Sequence, residues 1–275
     1  MSKYKMIVTD LDETLLQANG DLSLVNEQAI KRAINAGTIF VPNTGRAFDS
    51  IQPLLSQIGL INKRDNFVIS FNGGATVENF KNNVQICHPL SDSVAERIFK
   101  IGLGFRGTSA HINTLDQMFA YGVGPDEKHY LQTRGVFYQN MSEPDIKRIG
   151  NRTIMKVIFN HSDPEIRTKV HDAVLAELKG QVVATYSSNR YVEFNPFGVN
   201  KGTATLELAQ KLGIKPSEVI AVGDNFNDLP MIEKAGLGIC VSNGRDEVKK
   251  IANYVTEADN EHGAIAEIIN KFILN

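Results

Sequence analysis

The stretch MIVTDLDETLL, residues 6–16, places a short apolar run directly before two aspartates. Similar runs, rich in β-branched residues, recur along the chain and alternate with amphipathic stretches, which is typical of buried parallel strands joined by crossover helices. Strands are predicted at residues 6–8, 39–41, 67–71, 219–222, 237–241 and 254–255. Helices are predicted at residues 24–36, 48–58 and 200–212, after residue 227 and from residue 263. This order predicts an α/β fold built on a Rossmann-like, doubly wound parallel sheet.

The pattern of apolar and polar residues changes in the middle of the chain. Between residues 75 and 194 the strand candidates alternate apolar and polar residues, as in 153–159 and 181–185, and helical stretches near 93–102 and 164–178 separate them. Such alternation favours a sheet with one solvated face. We therefore predict a core domain formed by residues 1–74 and 195–275, interrupted by an inserted α+β domain at residues 75–194.

Composition excludes several classes of protein. The chain has 275 residues, 42% of them hydrophobic and 22% charged, which suits a globular fold with a sizeable core. A net charge of −2 provides no broad cationic field, so nucleic acid is not an expected partner. No segment has the length of a membrane span, and two distant cysteines, Cys87 and Cys240, form no disulfide scaffold. A reducing cytoplasm is the expected location.

Polar residues follow the predicted strands at the edge where ligands bind in such sheets. They are Asp10 and Asp12 after the first strand, Thr44, Gly45 and Arg46 after the second, and Asp224, Asn227 and Asp228 after the strand at 219–222. Two aspartates alone are more often a solvated loop or a turn cap. Residues two apart in extended backbone face the same side, however, and with Asp224 three carboxylates would converge, which favours a Mg²⁺ site.

Two further positions suit a phosphate group. At Thr44-Gly45 a hydroxyl can donate, the backbone can approach closely, and the following segment can open a helix that attracts an anion. An ordinary helix cap is the alternative. Lys201 is predicted at a helix start, where a cation opposes the helix dipole unless its partner is an anion, although most lysines are simply solvated.

Taken in order, these residues resemble the four motifs of haloacid dehalogenase-superfamily phosphatases. The matching segments are DLDETLL at 10–16, TGR at 44–46, Lys201 and GDNFND at 223–228. Four motifs in order are far more specific than any one of them. The long insert looks like the large α/β (C2B) cap of the Cof-type branch, whose members dephosphorylate small phosphorylated metabolites, often sugar phosphates.

The resemblance implies a role for each motif residue. Asp10 would be the nucleophile that becomes an aspartyl phosphate, and Asp12 the general acid and then the base. Mg²⁺ would be held by Asp10, the backbone carbonyl of Asp12 and Asp224, with Asp228 in or near the shell. The phosphoryl oxygens would be held by Thr44, Gly45, Lys201, Asn227 and the backbone of Leu11. Arg46 would contact the substrate or form a salt bridge.

Two residues depart from the family pattern. Glu13 stands where many relatives carry glycine, so its backbone must avoid a positive φ or tolerate strain. Asn43 stands where a small residue is commoner, and whether its amide lies near the phosphate is open at this point.

The expected function is Mg²⁺-dependent hydrolysis of the phosphate monoester of a small metabolite, with the insert selecting the substrate. The alternatives are phosphoryl transfer to a carbohydrate, as in mutases or synthases of the superfamily, and a non-enzymatic phospholigand-binding regulator. The sequence does not indicate the oligomeric state.

Overall fold

The computed structural model describes residues 2–275 and divides into two compact units. The first, called here the core unit, comprises the residues up to Cys87 together with Asn200–Asn275, and the insert unit is His88–Val199. The sequence placed the insert at residues 75–194. The first boundary therefore lies later in the chain than that expectation, and the reason is a hairpin described below.

The helices and strands follow one another in three blocks. Before the insert come β1 (Met6–Thr9), α1 (Leu24–Asn35), β2 (Ile39–Pro42), α2 (Gln52–Gln57), β3 (Phe67–Ser70), β4 (Ala75–Glu78) and β5 (Asn83–Cys87). The insert contains α3 (Asp92–Leu103), β6 (Ser109–Thr114), β7 (Met118–Tyr121), α4 (Pro125–Thr133), β8 (Gln139–Asn140), β9 (Ile154–Asn160), α5 (Pro164–Glu177), β10 (Val182–Ser187) and β11 (Tyr191–Pro196). After it come α6 (Lys201–Lys211), β12 (Val219–Gly223), α7 (Leu229–Lys234), β13 (Leu237–Cys240), α8 (Asp246–Ile251), β14 (Tyr254–Val255) and α9 (Ala264–Phe272).

A five-stranded parallel sheet forms the centre of the core unit. Its strand order is β14-β13-β12-β1-β2, and β1 pairs with β12 from Met6 opposite Val219 onward. The central strands are buried along their whole length, as a sheet covered on both faces requires. Alternate residues enter two separate apolar clusters, Ile7 one and Met6 the other. The predicted doubly wound α/β fold is confirmed.

The strand β3 differs from its predicted place. It pairs antiparallel with β4, which pairs with β5, and only an isolated bridge between Asn43 and Ile69 connects it to the end of β2. The chain reverses after β3 through left-handed residues, with φ of 56° at Asn72 and 99° at Gly73. An apolar run does not reveal its partner strand, so the sequence did not show that this hairpin stays with the core unit.

The insert unit is built on one six-stranded sheet in the order β10-β11-β9-β6-β7-β8. Apolar residues that alternate along its strands, such as Ala110 and Val157, form a core on one face together with residues of α3 and α5. Six of the intervening positions are polar yet buried: Ser109, His111, Asn113, Lys156, Glu193 and Asn195. We call these six residues the polar face. The unit has the predicted α+β composition.

Helix length and composition bear on membrane association. Among residues 2–275, none of the helices is both long enough and apolar enough to cross a bilayer.

Candidate active site

The candidate site lies at the carboxyl ends of β1, β2 and β12 in the core unit. Asp10 directly follows β1, and its backbone N–H donates to Val222 O at 2.9 Å, which continues the pairing with β12. Thr44 follows β2, and Asp224 follows β12. The strand order β12-β1-β2 therefore brings these three loops side by side, as predicted for an open parallel sheet.

Lys201 joins two of the acids. It is the first residue of α6, which Asn200 caps by accepting hydrogen bonds from Gly202 N and Thr203 N. The Lys201 side chain is fully buried, and its Nζ donates to Asp10 Oδ1 at 2.5 Å and to Asp228 Oδ1 at 2.6 Å. The anionic partner expected for a cation at a helix start is thus present in the protein itself.

Three carboxylates converge beside this lysine. One oxygen from each of Asp10, Asp224 and Asp228 lies within 4.8 Å of the others, and all three residues are buried. Asp224 Oδ1 accepts a hydrogen bond from the buried Thr14 hydroxyl at 2.7 Å. Asp228 Oδ2 accepts from the backbone N–H groups of Asp224 and Asn225 at 3.0 and 3.1 Å. Asp228 is therefore engaged through both oxygens, whereas Asp224 keeps one oxygen free of these bonds.

Burial and mutual repulsion perturb the acids. Burial raises the pKa of Asp10 well above its usual range despite the opposing effect of Lys201, and Asp228, Asp224 and Asp12 raise it further. Burial, followed by repulsion from Asp228, raises the pKa of Asp224 to about 7, although the Thr14 hydrogen bond opposes this. Burial would lower the pKa of Lys201, but Asp10 and Asp228 outweigh it and raise that pKa. Groups with perturbed pKa values in one place are typical of functional sites.

The cluster fits a hard divalent cation. Three carboxylates facing one ammonium leave two negative charges when all are ionised, and the ligand atoms on offer are oxygens, as Mg²⁺ prefers. A cation would also relieve the repulsion that raises the pKa values of Asp10 and Asp224.

Asp12 lies outside this group. Its side chain is half exposed and accepts a bidentate pair of hydrogen bonds from Arg46, with Nε 3.0 Å from Oδ2. The sequence predicted that Asp10, Asp12 and Asp224 would converge, but the third clustered carboxylate is that of Asp228. The physical reason is the Arg46 guanidinium, which holds the Asp12 carboxylate in an ion pair away from the cluster. Of the two roles predicted for Arg46, substrate contact or a salt bridge, the structure shows a salt bridge to Asp12.

The segment that contains Thr44 and Gly45 is a tight loop. Thr44 is buried, and its Oγ1 accepts the Arg46 N–H at 3.1 Å. A Cβ on Gly45 would lie 3.0 Å from Asn72 Oδ1, so the glycine permits a close approach. The expected helix does not begin here: residues 48–51 form turns, and α2 begins at Gln52. The Thr44 hydroxyl supplies a local turn bond that competes with helix formation.

The two departures from the motif pattern have structural outcomes. Glu13 adopts φ = 62°, so the strain of a left-handed residue is tolerated, and Asn243 Nδ2 donates to the Glu13 carbonyl at 2.7 Å. Asn43 directs its amide to the first turn of α6, with Nδ2 3.1 Å from Lys201 O.

Leu11 and Asn227 are the two remaining residues that the sequence predicted as phosphate ligands. Leu11 buries its side chain completely, and its carbonyl accepts the N–H groups of Leu15 and Leu16 at 3.0 and 2.8 Å. Asn227 lies partly buried in the turn between Asp224 and Asp228.

Sequence reasoning missed three contributions to the site. Thr14 orients Asp224, Asn43 contacts the start of α6, and Gly223 admits Asp228, whose Cβ would lie 2.4 Å from a Cβ at that glycine. Thr14 and Gly223 belong to motifs quoted in the sequence analysis. The sequence indicates their roles only weakly, because Thr14 is a hydroxyl-bearing residue near aspartates and Gly223 is a glycine directly before one.

The chain is similar to known hydrolases and phosphatases in both sequence and structure. A profile of haloacid dehalogenase-like hydrolases matches residues 7–269. A Bacillus subtilis protein named 5-amino-6-(5-phospho-D-ribitylamino)uracil phosphatase YcsE is 28% identical, with 98% of this chain and 96% of that protein covered. A phosphoglycolate phosphatase from Methanoculleus marisnigri is 26% identical, with the same coverage. The crystal structure of a haloacid dehalogenase-like hydrolase from Bacteroides thetaiotaomicron superposes with a TM-score of 0.85 at 25% identity, covering 98% of this chain and 99% of the other.

Proposed function

We propose that this chain, which belongs to the haloacid dehalogenase-like hydrolase family, hydrolyses phosphate monoesters of small metabolites. The reaction that we propose requires Mg²⁺ and passes through an aspartyl phosphate. Phosphatase activity on a small phosphorylated molecule follows from the family and its relatives. The metal, the covalent intermediate and the substrate class are the parts that we add.

The observation that carries the proposal is the buried arrangement of Lys201 between Asp10 and Asp228, with Asp224 alongside. Burying three carboxylates with one ammonium costs stability, because each ion loses its hydration. A purely structural site has no need of this charge imbalance. A site that holds a divalent cation does need it, since the cation brings the two positive charges that are missing.

In the first step, an Asp10 carboxylate oxygen attacks phosphorus while the ester P–O bond breaks, and the leaving alkoxide takes a proton from Asp12. The product is an aspartyl phosphate and a free alcohol. Asp12 accepts two hydrogen bonds from Arg46, which suits its ionised form. Arg46 therefore has to release one oxygen before Asp12 can carry that proton.

In the second step, Asp12 takes a proton from water, and the water oxygen attacks phosphorus as the bond from phosphorus to Asp10 breaks. Inorganic phosphate leaves and Asp10 is restored. Lys201 faces the charge that develops on the phosphoryl oxygens, and Thr44 with Gly45 provides a hydroxyl and a close backbone approach. Mg²⁺ would be held by Asp10, Asp224 and the Asp12 carbonyl, with Asp228 in or near its shell, and would offset the repulsion between carboxylate and phosphate.

Sugar phosphates are the substrate class that we favour, with the insert unit selecting among them. Its polar face carries a buried ion pair, Lys156 Nζ to Glu193 Oε2 at 2.6 Å, and Glu193 Oε1 accepts the Ser187 hydroxyl. The neighbouring His111 is also buried, and burial, followed by repulsion from Lys156, lowers its pKa to about 4, so it is neutral at pH 7. Neutral and charged hydrogen-bonding groups together suit a substrate with several hydroxyl groups.

We also propose a cytoplasmic location, with no nucleic acid or membrane partner. Both cysteines are free thiols, and the net charge of −2 provides no cationic surface field.

The test is phosphate release from a panel of sugar phosphates, nucleotides and cofactor phosphates, with Mg²⁺ or with EDTA. We expect Mg²⁺-dependent release that Asp10→Asn abolishes and that Asp246→Asn, at an exposed acid of the core unit, leaves unchanged. Acid quenching should trap label from a ³²P-ester on the wild type and not on Asp10→Asn. Activity that survives Asp10→Asn would refute the nucleophile. Consumption of the ester only when an alcohol acceptor is added, with a new phosphate ester and no inorganic phosphate as product, would favour phosphoryl transfer. Binding without turnover would favour a regulator.

A further inference from the structure

Asn43 links the loop after β2 to the first turn of α6. The residue is completely buried, and its Nδ2 donates to Lys201 O at 3.1 Å and to Thr205 Oγ1 at 3.2 Å. Thr205 Oγ1 in turn donates to the same Lys201 carbonyl at 2.7 Å. Three polar groups thus meet at the backbone of the residue whose ammonium contacts Asp10.

The backbone of Asn43 is fixed on its other side. Its N–H donates to Thr9 O at 2.8 Å, and Thr9 immediately precedes Asp10. A short path of hydrogen bonds therefore runs from the end of β1, directly before Asp10, through Asn43 to the backbone of Lys201. Because each link is buried and hydrogen-bonded, the path sets where α6 begins relative to the nucleophile's strand.

The other half of the amide argues against a purely stabilising role. Asn43 Oδ1 is buried and has no hydrogen-bond partner anywhere in residues 2–275. A buried acceptor without a partner costs stability, and an apolar side chain of similar size would avoid that cost. The benefit of asparagine here must come from the bonds that its amide donates, two of them to α6 and a longer one of 3.6 Å to Met231 Sδ in α7.

We propose that Asn43 is a positioning residue for Lys201: its amide fixes the first turn of α6 so that the ammonium lies between Asp10 and Asp228. The inference rests on the proposed function, because it assigns a task in that reaction. Asn43 does not contact the acids, and its amide is committed to α6 and not to a phosphate.

The decisive comparison is Asn43→Ala against Asn79→Ala, measured on wild type and variants with p-nitrophenyl phosphate and Mg²⁺. Asn79 is a matched control: it is buried in the core unit, and its Nδ2 donates to a backbone carbonyl, Leu60 O, at 3.1 Å. Small misplacements of a catalytic group cost up to ~100-fold in rate. We expect kcat to fall at least ~10-fold in Asn43→Ala with KM changed much less, and Asn79→Ala to stay within about twofold of wild type in both.

Two more variants keep the inference falsifiable if Asn43→Ala folds poorly. Thr205→Val removes the hydroxyl that shares the Lys201 carbonyl, so kcat should fall, and the double variant should lose less than the product of the single losses. Asn43→Asp places an acceptor opposite that carbonyl, so its kcat should be lower still than that of Asn43→Ala.

The outcomes separate the two proposals. A wild type that releases no phosphate refutes the proposed function, and the inference falls with it. If the wild type is active, folded Asn43→Ala and Thr205→Val proteins with the kcat of Asn79→Ala would overturn the positioning role alone. A crystal structure of Asn43→Ala gives a readout besides activity: we expect the start of α6 to move, and an unmoved Lys201 contradicts the inference.

Discussion

Replacing Lys201 by methionine should destabilise the protein in a way that depends on pH. Methionine has nearly the length of lysine and fits the buried channel, so the change removes the charge and not the volume. The ammonium is fully buried and donates to Asp10 Oδ1 at 2.5 Å and Asp228 Oδ1 at 2.6 Å. Without it, two buried carboxylates face each other with no cation between them.

The magnitude follows from the two lost bonds. A hydrogen bond to a charged group contributes about 1.5–3 kcal/mol, and removing one partner of a buried ion pair typically costs about 3–5 kcal/mol. We therefore expect the free energy of unfolding to fall by about 3–5 kcal/mol at pH 8 in EDTA. Lys201 holds down the pKa of Asp10, so its loss raises that pKa further above the unfolded value.

The sign of the pH effect follows from that shift. A carboxyl whose pKa is higher in the folded state favours folding when protonated, and this contribution is lost as pH rises through the folded pKa. At pH 5 the variant can protonate Asp10 and needs no ammonium, so the deficit should be small there. It should grow as the pH rises from 5 to 8.

Urea unfolding at pH 5, 6.5 and 8 in EDTA measures the deficit. Lys211→Met, at an exposed position in the last turn of the same helix, is the matched control and should differ from wild type by less than about 0.5 kcal/mol. An equal deficit at every pH, or none at pH 8, would refute the electrostatic account. Phosphatase activity should be lost in Lys201→Met and retained in Lys211→Met.

Two substitutions test the backbone of the site. Gly223→Ala would place a Cβ 2.4 Å from the Asp228 side chain, so we expect a loss of at least about 3 kcal/mol in urea unfolding and no turnover, whereas Gly124→Ala, with open space around it, should be tolerated. Glu13→Gly relieves the strain of a left-handed residue at φ = 62° and should raise the free energy of unfolding by about 0.5–1 kcal/mol. The control Asn82→Gly, at φ = 49°, should gain less because asparagine accepts this conformation. Equal gains in the two variants would argue against strain at Glu13.

Much of the core fold could be predicted because its strands are buried on both faces. A continuous apolar run such as β12 has few alternative structures, and the helices that follow show a clear apolar face. Strand pairing was harder. The run that became β3 is as apolar as β1, yet its neighbours are an antiparallel hairpin and a single bridge to Asn43. Since partner choice depends on the turn that follows, composition placed the hairpin in the wrong unit.

The candidate site was predictable where a residue directly follows a buried strand. Asp10 and Asp224 are in that position, Thr44 lies one residue further from the end of β2, and the order of the strands brings the three residues together. Asp12 lies two residues beyond Asp10, just before the turn at residues 13–15, and the alternation of side chains along a strand does not predict which cation its carboxylate will meet. Its pairing with Arg46 therefore required the structure.

The position of Lys201 explains why such a site needs a rigid frame. A cation at the start of a helix opposes the helix dipole, and a buried carboxylate pair resists ionisation, so each group is unfavourable alone. Together they are compatible only at hydrogen-bond distance, because the attraction between them has to offset both costs. A shift of α6 would weaken the attraction and leave the costs in place. The groups that fix α6, the Asn200 cap and the Asn43 amide, are therefore as important to the chemistry as the charges.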